Sequence, residues 1–194
     1  FTLLVGIPFQ IYLARTIGVT ELGIFSLLDG VMAVFAGLGG FGLAQTLVKY
    51  LPLHMEKGEV GQARELAKFV AIISAASGLV LLCIYQISLE LLFIALPDLS
   101  SYRLEAMIMG LVIPVSLLIG VLSGGLRGMY EIRNLVLGTA YLQLVSKTMF
   151  AICFFALELG LLGYIYAVII SMLISMSTGI RIARLHLCCD YFDA

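Results

Sequence analysis

The sequence predicts an all-α membrane protein, a bundle of six transmembrane helices. Hydrophobic residues make up 62% of the 194 residues and charged residues 12%, whereas soluble domains average about 45–50% and 25%. Mean hydropathy is +1.13. The apolar residues also lie in runs that exceed the roughly 20 helical residues needed to cross the hydrocarbon core of a bilayer. These observations together exclude a soluble globular fold.

The predicted spans follow from the apolar runs and occupy residues 1–15, 22–50, 66–87, 106–126, 135–157 and 160–182. The first contains Pro8 and the fourth contains Pro114. A proline inside a span indicates either a kinked structural helix or a mobile helix that lines a cavity. The chain begins with Phe1 inside an apolar run, so we expect it to be a fragment cut within its first span.

The second span, residues 22–50, is the longest and carries a run of glycines near its end. The run from Gly37 to Gly42 matches the GxGxxG pattern of dinucleotide-binding proteins. That pattern requires a preceding strand and a helix that starts at the phosphates, and here both flanks are membrane helix, so we reject it. The glycines indicate either close helix packing or a flexible point in a moving helix. The packing interpretation places Gly40 or Gly42 where two helices nearly touch.

Lys and Arg predict the orientation of the bundle. Eight of them follow the second, fourth and sixth spans: Lys49, Lys57, Arg64, Lys68, Arg127, Arg133, Arg181 and Arg184. The opposite loops hold two, Arg15 and Arg103. The positive-inside rule makes the first set cytoplasmic, so both ends of the bundle, residues 1–184, are predicted to be cytoplasmic. Residues 56–68 are predicted to form a short amphipathic cytoplasmic helix, and residues 185–194 a cytoplasmic segment.

The sequence shows no pattern for catalysis, metal binding or nucleic-acid binding. Both histidines, His54 and His186, fall in predicted cytoplasmic segments, and the four cysteines lack metal-ligand spacing. No span contains two carboxylates, and the net charge is −1. We therefore expect the protein not to be an enzyme, to hold no cofactor or metal, and to bind the lipid bilayer rather than nucleic acid.

Asp29 and Lys147 are the ionisable residues well inside predicted spans. Such residues are costly in a bilayer unless they are paired or hydrated, which makes them candidate functional residues. They lie roughly 10 Å and 15 Å from the outer ends of their helices, with Gln10 at a similar level. Thr139, Gln143 and Lys147 share one helix face. Two interpretations stay open: a structural Asp29–Lys147 ion pair, or a hydrated cavity in which Lys147 binds an anionic substrate.

Five short segments carry a resemblance to a known family: ARTIG at 14–18, ELGIFS at 21–26, GFGLA at 40–44, GLRG at 125–128 and GLLG at 160–163. The chain resembles the N-terminal half of flippases of the polysaccharide transporter (O-antigen flippase) family. That family belongs to the MATE-like multidrug/oligosaccharidyl-lipid/polysaccharide exporter superfamily. The resemblance covers essentially all 194 residues. It implies one six-helix lobe of a two-lobe transporter, with the second lobe of the same full-length chain as its partner.

The resemblance also implies a function and a location. The cargo would be a lipid-linked glycan, an undecaprenyl-pyrophosphate-linked polysaccharide repeat unit, moved across a prokaryotic cytoplasmic membrane by alternating access. Lys147 and Arg15 would attract the pyrophosphate. The sugar or gate region would be lined by Asp29, Gln10, Gln143 and Tyr141.

Two other functions remain as alternatives. A cation-coupled multidrug antiporter of the same superfamily would typically hold acids in this lobe, whereas the first span has none and Asp29 is the one acid in any span. A membrane-embedded enzyme that builds glycans would need acidic or histidine residues clustered at one membrane face, and the sequence shows no such cluster.

Overall fold

The computed structural model describes residues 2–40, 42–95, 101–128, 141–156 and 160–189, and within them it contains helices joined by short turns and no strand. The helices are α1 (Thr2–Ile17), α2 (Val19–Gly40), α3 (Leu43–Glu56), α4 (Val60–Ala95), α5 (Arg103–Gly110), α6 (Val112–Gly128), α7 (Leu142–Ala156) and α8 (Gly160–Cys189). The predicted all-α fold class is confirmed for these residues.

Four helical segments in the described part of the chain are long and apolar enough to cross a membrane: Val19–Glu56, Gly61–Ile94, Arg103–Gly128 and Gly160–Ile182. They correspond to the predicted second, third, fourth and sixth spans. Large apolar side chains on their outer surfaces, such as Leu79, Val80 and Leu91, are exposed, as expected for helices surrounded by lipid. The chain is a multi-pass membrane protein.

The predicted first and fifth spans correspond to shorter helices. α1 has 16 residues, and the apolar part of α7 covers Leu142–Phe155. The predicted fifth span starts at residue 135, which lies outside the described residues, so the structure covers only its second part.

The predicted second span is divided in two. Gly42 has a φ of 71°, a left-handed conformation that glycine adopts without steric cost, and the chain changes there from α2 to α3. The predicted close contact at Gly40 or Gly42 is wrong, because no atom of the described residues lies within 4 Å of a Cβ built at either position. The tight contact is at Gly39, where a Cβ would meet side-chain atoms of Leu81 and Leu117.

The separate cytoplasmic helix predicted for residues 56–68 is also wrong. α3 ends at Glu56, a turn with Gly58 at a φ of 71° follows, and α4 then continues unbroken from Val60 to Ala95. The turn is closed by the amide of Glu59, which donates to the carbonyl of His54 at 2.9 Å. The Nδ1 atom of His54 lies 3.1 Å from Oε2 of Glu59. The polar residues after Gly58 therefore form the first turns of a long membrane helix and not a separate helix.

Pro114 explains the interruption between α5 and α6. It lacks the N–H that would bond to the carbonyl of Gly110, four residues earlier, and its ring crowds that carbonyl. α5 ends at Gly110 and α6 begins at Val112. Gly78 of α4 packs against the proline, since a Cβ there would lie 2.8 Å from the Pro114 Cα. This kink is part of the packed core, whereas Pro8 of α1 is exposed.

The core has three clusters of buried side chains. The largest joins α2, α4, α5, α6 and α8 around Tyr85, Ile113 and Ile165. A second cluster, Leu47 with Val70 and Val121, joins α3, α4 and α6. The third places α1 against the antiparallel pair α7 and α8; its buried residues are Leu13, Ala151, Phe155, Tyr164 and Ala167. The candidate site lies beside this third cluster.

Candidate functional site

A cavity of about 500 Å³ lies between α1, α7 and α8. Its lining residues are Gly6, Ile7, Phe9, Gln10, Ile11, Leu144, Lys147, Thr148 and Tyr164. Polar side chains come from each of the three helices, while the α1 rim, at Ile7 and Ile11, is apolar and exposed. The cavity therefore combines a polar wall with an apolar edge.

Lys147 is the charged residue of this wall. Its side chain is half-buried, and its Nζ atom lies 5.1 Å from the centroid of the Tyr164 ring. A cation held over an aromatic face in this way gains about 0.5–2 kcal/mol, with the larger values where water is excluded. The contact holds the ammonium at the cavity wall without neutralising its charge.

Tyr164 is the structural centre of the site. It is 3% exposed and belongs to an aromatic cluster. Its ring packs edge-on against Phe25 at a centroid distance of 4.7 Å and lies 6.3 Å from Phe9 and 6.4 Å from Phe155. Such pairs add about 0.5–1.5 kcal/mol each beyond area burial, so the ring under Lys147 is firmly fixed.

Three residues that line the cavity were not predicted as site residues: Phe9, Thr148 and Tyr164. Phe9 and Tyr164 stand in apolar runs, and nothing in those runs separates them from aromatic residues that only fill the core. The hydroxyl of Thr148 donates to the carbonyl of Leu144 at 2.7 Å, which leaves its oxygen free to accept a second hydrogen bond.

Asp29 and Lys147 do not form an ion pair in the structure. Among the described residues the ion pairs are His54–Glu59 and Arg103–Glu90, both at helix ends. Asp29 is exposed on α2 and does not line the cavity. Of the two interpretations, the geometry agrees with a cavity that contains an ammonium without a carboxylate partner in the described part of the chain.

The structure places the other predicted site residues as follows. Gln10 lines the cavity together with Lys147. Arg15 is exposed in the last turn of α1, Gln143 is half-buried one turn before Lys147 and does not line the cavity, and Tyr141 is exposed at the start of α7. Thr139 lies outside the described residues. The structure thus brings Lys147 and Gln10 together.

The polar side chains of this cavity wall are suited to binding a ligand. An ammonium, an amide and a hydroxyl can hold an anionic group and its neighbouring hydroxyls through charge-assisted and neutral hydrogen bonds. No group of three or more His, Cys, Asp or Glu residues that could hold a metal ion occurs among the residues described.

No family model, curated protein or solved structure matches the chain. The helices themselves define the class of protein: an all-α, multi-pass membrane protein with a polar cavity between three of its helices.

Proposed function

We propose that the chain is the N-terminal lobe of a flippase that moves lipid-linked oligosaccharide across a prokaryotic cytoplasmic membrane by alternating access. The observation that carries the proposal is the half-buried ammonium of Lys147 at the wall of the cavity between α1, α7 and α8. A charged residue in a membrane protein that faces a cavity is a functional candidate by default.

In this proposal the helices belong to the six spans of such a lobe. α2 with α3 and α5 with α6 would each form one interrupted span, and α1, α4, α7 and α8 would supply the remaining four. The second lobe of the full-length chain would then face this one, with the substrate between them. Many transporters contain such interrupted helices.

The polar wall and the apolar rim of the cavity suit an amphiphilic, anionic substrate. Lys147 would attract the pyrophosphate, and Gln10 would donate to the phosphate or the first sugar. The apolar rim at Ile7 and Ile11 would lie against the start of the polyprenyl chain. No covalent chemistry is required, because the cargo is moved and not altered.

Reconstitution tests the proposal. The full-length protein is placed in lipid vesicles, and the translocation of a fluorescent undecaprenyl-pyrophosphate-linked oligosaccharide is followed with an impermeant quencher. We expect the protein to transfer this lipid faster than protein-free vesicles do. A rate equal to that of protein-free vesicles would overturn the proposal. Efflux of a cationic dye driven by a Na⁺ or H⁺ gradient in the same vesicles would instead support the multidrug antiporter.

A further inference from the structure

An apolar groove of about 210 Å³ lies between α3, α4, α6 and α8, and it shares no lining residue with the cavity that contains Lys147. Every described residue that lines the groove is aliphatic, methionine or glycine. The space exists because the residues at three positions are small: Ala67 and Ala71 of α4 and Gly125 of α6. A cavity without polar groups cannot hold water through hydrogen bonds and takes an apolar guest instead.

The groove follows α6 for about two turns. From Leu118 to Leu126 it extends over roughly 12 Å, at 1.5 Å of rise per residue. Its wall is partly open, since Leu118, Leu122 and Met176 are half-buried. α3, α4, α6 and α8 all belong to helical segments that are long and apolar enough to cross a membrane. The medium at the opening of the groove is therefore hydrocarbon, and an acyl chain of the surrounding lipid can enter it.

Two basic residues lie on the side of α4 that faces the groove. Ala67 and Ala71 line the groove. Together with Arg64 and Lys68 they follow the spacing i, i+3, i+4 and i+7, which places all four residues on one side of the helix. Both basic side chains are exposed. Because helical side chains tilt towards the N-terminus of their helix, Lys68 extends towards the start of α4, where Arg64 lies.

The acidic residues near this end of the groove leave the two basic charges available. Glu65 directly follows Arg64, which turns it about 100° away around the helix. The Oε2 atom of Glu59 lies 3.1 Å from Nδ1 of His54. Within the described part of the chain, neither Arg64 nor Lys68 belongs to an ion pair. The groove thus has positive charge at one end, which is complementary to an anionic lipid headgroup.

We propose that this groove binds an anionic phospholipid of the bilayer, with one acyl chain between α4, α6 and α8 and the phosphate at Arg64 and Lys68. Basic pockets between transmembrane helices recognise lipid headgroups of this kind. The Arg64 guanidinium can bind phosphate oxygens through two parallel hydrogen bonds, and the Lys68 ammonium acts as a compact charge. A zwitterionic lipid would bind less tightly, because its own cation already offsets the charge of its phosphate.

The test is the thermal unfolding midpoint of the full chain in detergent, titrated with phosphatidylglycerol or with phosphatidylcholine of the same acyl chains. Phosphatidylglycerol at about ten times its dissociation constant should raise the midpoint by about 1–3 °C, and phosphatidylcholine should raise it less. The double variant Arg64→Gln with Lys68→Gln should need about 30-fold more phosphatidylglycerol for half of the shift, since each basic residue contributes about fivefold. Ala71→Leu fills the groove and should respond weakly to both lipids.

The double variant Lys49→Gln with Lys57→Gln is the matched control, because it removes the same charge from two exposed residues near the same end of the bundle. Lys49 follows Leu47 by two positions, about 200° around α3, and so lies away from the groove. This control should keep the parental response to phosphatidylglycerol. Equal midpoints of the parent in the two lipids would overturn the proposal, and are the result expected if another protein segment covers the groove. A parental response in the Arg64 and Lys68 double variant, or in Ala71→Leu, would also overturn it.

Discussion

The ammonium of Lys147 lies 5.1 Å from the centroid of the Tyr164 ring, at the wall of a cavity that no acidic residue of the described part of the chain lines. The Tyr164 ring takes the place of the carboxylate that usually pairs with a buried lysine. An aromatic face attracts the cation but leaves its hydrogen-bond donors and its net charge available. The site is therefore suited to a second, anionic partner.

Tyr164 should be needed for the stability of the bundle. Tyr164→Leu removes the ring beneath Lys147 and three aromatic contacts, so we expect the free energy of unfolding to fall by about 1–3 kcal/mol. Tyr164→Phe keeps the ring and should lose less than half of that. The measurement is thermal or denaturant unfolding in detergent.

Tyr166→Leu is the control for this series, because Tyr166 lies two residues along the same helix and is exposed. We expect it to change stability by no more than about 0.5 kcal/mol. Equal effects of the leucine variants at 164 and 166 would show that the aromatic cluster does not hold this part of the bundle together.

Gly124 is expected to be the least replaceable glycine of α6. A Cβ there would lie 2.6 Å from the carbonyl oxygen and 2.9 Å from the Cα of Ala44, so α3 and α6 would have to move apart. Gly124→Ala should cost about 1–3 kcal/mol of stability. At Gly125 the nearest atom, Leu47 Cδ1, is 4.0 Å away, and Gly125→Ala should be close to neutral. Similar unfolding midpoints for both variants would contradict the close approach of the two helices.

Gly42 is expected to be needed for its backbone conformation rather than for space. Its φ of 71° is left-handed, and a side chain in that conformation costs about 1–2 kcal/mol. Gly37 has a helical backbone and equally open surroundings, so Gly37→Ala should be neutral or slightly stabilising. Folded yield and unfolding midpoint in detergent measure the difference. If Gly42→Ala is as stable as Gly37→Ala, the interruption between α2 and α3 does not depend on this glycine.

The sequence was most informative about the spans and least informative about their interruptions. The predicted sixth span matches the apolar segment Gly160–Ile182, because length and hydropathy alone define a membrane crossing. The unbroken course of α4 and the interruption at Gly42 were not predicted. The interruption depends on the backbone conformation of a single residue, and the length of α4 depends on how far a helix continues beyond the membrane. Hydropathy detects neither.

The candidate site was predicted in part for a similar reason. Helical rise gives the depth of a residue, and depth grouped Lys147 with Gln10, which both line the cavity. It does not say which direction a residue faces around its helix, so Asp29 was placed at the same level although it is exposed away from the cavity. Tyr164 was missed because its role follows from helix packing, which the sequence does not specify.

The orientation predicted from Lys and Arg can be tested at the two ends of α4. Lys57 lies in the turn before α4, and Ser101 lies after it, at the opposite end; both are exposed. In a background without native cysteines, K57C should resist an impermeant maleimide in intact cells, whereas S101C should react. Permeabilised cells provide the control, where both should react. Labelling of K57C in intact cells, with S101C protected, would reverse the orientation.

The most direct measurement of the central claim is the translocation rate of lipid-linked oligosaccharide by Lys147 variants of the full-length protein. Lys147→Ala should reduce the rate about 10- to 100-fold, the effect of losing a charged hydrogen bond of about 1.5–3 kcal/mol. Lys147→Arg should keep part of the activity because a cation remains. Lys49→Ala is the matched control, since Lys49 makes a similar contact with Tyr50, at 5.4 Å, outside the cavity. The double variant Asp29→Ala with Lys147→Ala should show the same reduced rate while remaining folded. A parental rate in the double variant would show that Lys147 serves only to balance Asp29, and would contradict its role in binding the substrate.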